Sequence, residues 1–109
     1  MKLMRSHEFL AILRMLLDAD PKVREGVADE ITDRLSSYAP AQASALATLL
    51  AATAVAEKDA AALEAELHAI LELASTGHVA VEHISSLEEL NRDELLPELR
   101  EYVEDLLSG

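Results

Sequence analysis

Glu64, His68 and Glu72 stand at i, i+4 and i+8 of a helical stretch and therefore share one face. With His78 and His83 further on, they are the side chains of this 109-residue chain whose types come nearest to a metal site. The pattern falls short of one. No His-Glu-x-x-His occurs, and a histidine four residues from a carboxylate on a solvent face reads first as an ion pair or a hydrated side chain. His83 and Ser85 lack a third member and an oxyanion-hole turn, and Gly26, Gly77 and Gly109 are too scattered to cradle a phosphate. His7 beside Ser6 reads as an exposed residue of a first helical turn. The residues assign no catalytic group, no metal ligand and no cofactor-binding residue, so the expectation is a protein that is not an enzyme and carries no cofactor.

The elements that would position such side chains are helices. Phe9, Ile12, Leu13, Leu16 and Leu17 recur at helical spacing, and after an Asp-rich turn Val23, Val27, Ile31 and Leu35 recur every fourth residue. Between the two stripes, Asp18 or Asp20 can cap a second helix that opens at Pro21, where a missing N–H costs nothing. Two amphipathic helices joined by so few residues lie antiparallel.

The run Leu16-Leu17-Asp18-Ala19-Asp20-Pro21-Lys22-Val23-Arg24, followed by Val27 and Ala28, resembles the core of a HEAT repeat. In that family two helices meet at an Asp-containing turn and the second opens with a Val-Arg pair. The resemblance spans about one repeat. It implies that Asp18, Asp20, Pro21 and Arg24 form a structural turn, with Asp18 and Arg24 at the positions used for the turn and for polar contacts between repeats. The Asp-x-Asp-Pro-x-Val-Arg sequence has no second copy.

Bulk composition agrees with a helical domain. Half the residues are apolar and only 3% aromatic, so the core is Leu, Ala, Val and Ile. One domain over residues 1–109 can bury such a core without metals or disulfides, and the absence of cysteine fits a reducing cytoplasm. The N-terminal MKLMRSHEFLAILRMLL reads as a helix rather than a signal peptide, since Glu8 and Arg14 interrupt its apolar run. The uncharged Ala39–Ala56 stretch reaches bilayer-spanning length, but its Ala, Gln42, Ser44, Thr48 and Thr53 content is too polar for that role. It reads instead as a buried central helix with Leu46, Leu49, Leu50 and Thr53 on one face and Ala43, Ala47, Ala51 and Ala54 on another.

Asp59 then caps a helix from about Ala60 to Ser75, with Leu63, Leu67, Ile70, Leu71 and Ala74 inward and Gly77 as its terminator. Val79 to about Leu90 reads as a helix with a break at Ser85-Ser86, where Ser86 and Glu89 can form a capping box. Pro97 starts a last helix that turns Leu99, Val103 and Leu106 inward. The expected fold is all-α: about six helices in three antiparallel hairpins, as a HEAT-like right-handed stack or a compact bundle.

Charge is unevenly spread. Residues 1–35 hold six Lys/Arg and seven Asp/Glu, a balance of -1, whereas residues 36–109 hold three against fourteen, a balance of -11. Glu82, Glu88, Glu89, Asp93, Glu94, Glu98, Glu101, Glu104 and Asp105 alternate with apolar residues and must point outward together. Such a surface repels nucleic acid and anionic membrane and steers a basic protein toward it. A helix-turn-helix reading fails likewise, because Glu25, Asp29, Glu30 and Asp33 outnumber Lys22, Arg24 and Arg34.

The stretch Ala62–Leu107, with LEAELHAILELASTGH and the terminal ELREYVEDLLSG, is similar to small acidic helical proteins of actinobacteria, some of them immunity proteins with HEAT-like folds. The resemblance implies a cytoplasmic bacterial protein that neutralises a basic, nuclease-like toxin. The partner-binding residues expected are Glu64, Glu72, Glu82, Glu88, Glu89, Glu94, Glu98 and Glu101. The alternative is a structural or adaptor protein that self-associates; the oligomeric state expected is a monomer or weak homo-oligomer.

Overall fold

Asp20 decides where the first hairpin turns. In the computed structural model, which describes residues 3–108, its side chain accepts the backbone N–H of Lys22 at 2.9 Å, and Asp18 accepts that of Asp20 at 2.9 Å. Asp20 is thus the N-cap, with Pro21 at the first helical position. The helices α1 (Ser6–Leu16) and α2 (Pro21–Asp33) flank this turn. Because α1 ends at Leu16, Leu17 leaves the apolar stripe expected for it and is 64% exposed.

A single 3-10 turn, Leu35–Ser37, leads to α3 (Pro40–Ala56). The segment ahead of α1 is pinned here: Met4 N–H donates to the Ser37 carbonyl at 2.8 Å, and Gln42 Nε2 donates to the Met4 carbonyl at 3.1 Å. Along α3 the residues Ala43, Leu46, Ala47, Leu50, Ala51 and Ala54 are buried, while Leu49 and Thr53 are half-buried. After a three-residue turn, Asp59 accepts the Ala62 N–H at 3.0 Å and starts α4 (Ala60–Ala74). Gly77 closes this region at φ 85°, the left-handed conformation that a glycine adopts without strain.

α4 buries a wider arc than its expected stripe. Ala62, Ala65, Glu66, Leu67, Ala69, Ile70 and Leu73 are fully covered, whereas Leu63, Leu71 and Ala74 are only partly so. The cause is tertiary, since α4 packs against α2, α3 and α5. A second difference lies at residues 81–89. This segment is 3-10 helix, Val81–Glu89, kinked at Ile84 (φ -114°, ψ 15°), and the break falls there rather than at Ser86. Local side-chain bonds compete with a regular helix: Ala80 N–H donates to His83 Nδ1 at 2.9 Å, and Ser85 Oγ donates to the Glu82 carbonyl at 3.2 Å. The expected Ser86–Glu89 capping box does not form. A short 3-10 turn, Arg92–Glu94, precedes α5 (Pro97–Leu107), which buries Leu99, Val103 and Leu106 as its spacing requires.

The fold is all-α, with no strand among the described residues. Its helices fall into two layers. α1 packs on α3 and α3 on the Val81–Glu89 segment, while α2 packs on α4 and α4 on α5. Successive elements join the layers pairwise: α1 with α2, α3 with α4, and Val81–Glu89 with α5. The molecule measures 41 × 31 × 18 Å, its least dimension close to the thickness of two helices, roughly 20 Å. Its radius of gyration, 12.9 Å, matches the value of about 13 Å for a close-packed chain of this length.

Candidate functional site

The acidic residues singled out from sequence lie in two places. Glu82, Glu88, Glu89, Glu94, Glu98 and Glu101 are exposed along the Val81–Glu89 segment, the Arg92–Glu94 turn and α5, together with Asp93, Glu104 and Asp105. Among the described residues none of these nine carboxylates forms an ion pair. The two arginines nearby in sequence do not neutralise them. Arg100 donates to the backbone carbonyls of Arg92 and Leu95, at 3.0 and 3.4 Å.

Glu64 and Glu72 sit apart from that group, on α4. Glu64 is exposed on a groove of about 220 Å³ shared with Glu25, Asp29 and His68. Glu72 accepts a weak contact from His68 Nε2 at 3.7 Å, and the His68 ring lies tilted against Tyr102 with centroids 6.4 Å apart. Among the described residues no three His, Asp or Glu side chains converge on a metal position.

A cleft of about 520 Å³ gathers four acidic residues. Glu57 and Asp59 from the α3–α4 turn face Glu89 and Glu94 across it, with Lys58 and Asn91 on the rim and Val55, Leu63, Leu90 and Leu95 as apolar lining. Asp59 is held by its cap bond to Ala62, whereas Glu89 and Glu94 are exposed. Of the cleft's carboxylates, Glu57 alone has its charge matched within the chain.

Glu57 belongs to a buried polar centre that sequence reading missed. Arg24 Nε and one terminal guanidinium nitrogen donate to the two Glu57 oxygens, each at 2.7 Å, and its other terminal nitrogen donates to the Asp18 carbonyl at 2.6 Å. Arg24 so ties the first turn, α2 and the α3–α4 turn together. The Glu57 side chain is 1% exposed. It also accepts the N–H groups of Lys58 and Asp59, at 3.2 and 3.1 Å. The Arg24 guanidinium, against some opposition from burial, holds the Glu57 carboxyl well below its ordinary range, at about 2. The same bond raises Arg24 above its ordinary value.

Beside this pair lies Glu66 of α4, with no exposed surface and no N–H or O–H donor for either oxygen among the described residues; protonated, it can donate to the adjacent Glu57 carboxylate. Burial first, and then the adjacent Glu57 carboxylate, push its pKa up to about 9. At neutral pH Glu66 is an uncharged acid next to an ionised one. Two carboxyls displaced in opposite directions have the electrostatics of an acid–base pair, and Glu66 has no solvent exposure. A signal for it existed in the sequence: Ala62, Glu66, Ala69 and Leu73 form one helical line, apolar except at Glu66.

The chain matches no protein-family model, no curated protein and no solved structure.

Proposed function

We propose that this chain is a non-enzymatic protein-binding module whose acidic C-terminal surface receives a basic protein, as an immunity protein neutralising a nuclease-like toxin would. The observation that carries the reading is the set of nine exposed, internally unpaired carboxylates between Glu82 and Asp105. Leaving them unpaired costs self-repulsion, which an approaching cationic surface relieves while its association is accelerated. The cleft lined by Glu89 and Glu94 suits a Lys or Arg side chain, because its apolar lining can cover the stem while these two exposed carboxylates meet the charge. The division into an α1, α3, Val81–Glu89 layer and an α2, α4, α5 layer supports a HEAT-like stack of three short hairpins. A bacterial cytoplasm is the setting this reading implies.

Affinity capture with the purified chain, followed by binding kinetics at rising salt, tests it. A basic partner should be retained, and its association rate should fall steeply as salt is raised. Combined Glu88→Lys, Glu89→Lys and Glu94→Lys should abolish retention. If the triple variant retains every partner as well as the unaltered chain does, the acidic-surface reading is wrong. A second reading, a self-associating helical adaptor, is favoured by the exposed leucines Leu10 and Leu17 at the other end of the stack.

A further inference from the structure

Glu57, Lys58 and Asp59 are the whole connection between α3 and α4, and one carboxylate fastens it. Glu57 accepts two bonds from Arg24 and the N–H groups of Lys58 and Asp59. Beside that carboxylate lies Glu66, two turns into α4, with no exposed surface and no donor to either oxygen among the described residues. The charged groups that act on Glu66 are Arg24 from α2 and Glu57 and Asp59 from the connection. α3 carries no charged residue, and none from α5 acts on it among the described residues.

We infer that Glu66 and Glu57 form a proton-dependent latch: with its proton, Glu66 keeps the Glu57-Lys58-Asp59 turn closed, and it gives that proton to water only by local opening of the turn, not by unfolding of the chain. Protonated, Glu66 can donate its O–H to the Glu57 carboxylate, so the buried pair carries one negative charge against the Arg24 guanidinium. Ionised in place, it would set two carboxylates against one cation, with no donor of its own. That repulsion falls on the turn, because Glu57 is what fastens it. α2, α3 and α5 meet α4 through the apolar core instead, which the lost proton leaves intact.

The latch works well below the pH at which the closed chain ionises. Closed, Glu66 keeps its proton up to about 9; with the turn open it is a solvated carboxyl near 4.5. Between those limits the open fraction rises about tenfold per pH unit, or about 300-fold from pH 5.5 to 8. Glu57, Lys58, Asp59 and Ala60 are also one wall of the cleft that Glu89 and Glu94 close from the other side. Binding of a basic partner there, a consequence that rests on the function proposed above, should weaken from pH 6 to pH 8 as this wall loosens.

Amide hydrogen exchange of the chain alone, followed by NMR from pH 5 to 8, tests the latch without any partner. The reporters are the Asp59 N–H, held by Glu57, and the Ala62 N–H, held by Asp59; the references are the core amides of Leu50 and Ile70. Corrected for intrinsic exchange, protection of the two reporters should fall about tenfold per pH unit and stay below that of the references. In Glu66→Gln the fall should vanish. Protection that does not change with pH overturns the proposal, as do reporters that exchange only together with Leu50 and Ile70, or an unchanged slope in Glu66→Gln. Should that variant not fold, the first two readouts on the unaltered chain decide alone. None of them involves the Glu88, Glu89 and Glu94 surface, so the latch and the proposed function fail separately.

Discussion

Arg24 holds Glu57 through two N–H···O bonds of 2.7 Å, and that pairing fixes the first helical hairpin against the turn that begins α4. It is a fork-to-fork contact, the geometry in which arginine and lysine are least interchangeable.

Breaking the fork from one side should therefore be costly. Arg24→Met leaves a Glu57 carboxylate that is 1% exposed without its cation, and the folded state should lose stability measurably. Arg24→Lys should recover only part of it. Pairing Arg24→Met with Glu57→Met should restore most of the stability, because no unmatched charge remains. Urea unfolding of the unaltered chain, Arg24→Met, Glu57→Met and the double variant gives the coupling; no loss in either single variant would show the pair to be incidental.

Glu66 makes stability depend on pH in an unusual direction. Its folded pKa, about 9, lies above the ordinary 4.5, so the folded chain holds a proton that the unfolded chain releases. Its contribution is complete below pH 4.5 and declines as pH rises to 9. Glu57 acts oppositely: displaced to about 2, it stabilises above pH 4.5 and fails as pH falls through 2. Together, with Arg24 and Asp59 as the other charges facing them, they place the optimum near pH 4.5. Glu66→Gln keeps the shape without the proton and should gain roughly 3 kcal/mol at pH 7 and nothing at pH 4.5. Unfolding midpoints across that range decide it, and an equal gain at both pH values would refute the assignment.

Tyr38 is 5% exposed and its hydroxyl has no hydrogen-bond partner among the described residues. Burial pushes its pKa up to about 12, so the folded state keeps the phenol neutral and loses stability as pH climbs from 10 toward 12. Tyr38→Phe removes an unsatisfied polar atom and keeps the ring. It should be neutral or stabilising by up to about 1 kcal/mol, and should remove this alkaline loss. A lowered melting temperature at pH 7 would contradict it.

What sequence could convey here was mostly local. The caps at Asp20 and Asp59, the prolines at 21, 40 and 97 and the left-handed Gly77 each act through their own backbone, and each stands where its chemistry puts it. Glu66 carried only the faint signal of its apolar helical line, for the opposite reason. A glutamate in an Ala-Leu helix is ordinarily solvated, and only the wrapping of α4 by three neighbours buries it. The Val81–Glu89 segment was half-legible: its apolar spacing is helical, but His83 and Ser85 bind nearby backbone and tighten it to 3-10 geometry. The carboxylates from Glu82 to Asp105 were readable as exposed, since alternation with Leu and Val leaves them no other direction.

Many of the covered residues of α3 and α4 are alanines: Ala43, Ala47, Ala51 and Ala54 on α3, and Ala62, Ala65 and Ala69 on α4. Each of these methyl groups is covered, so a larger side chain in its place must displace a neighbour. This sequence can therefore change at its exposed glutamates, where a change alters what the surface attracts, while its plainest buried residues have little freedom to vary.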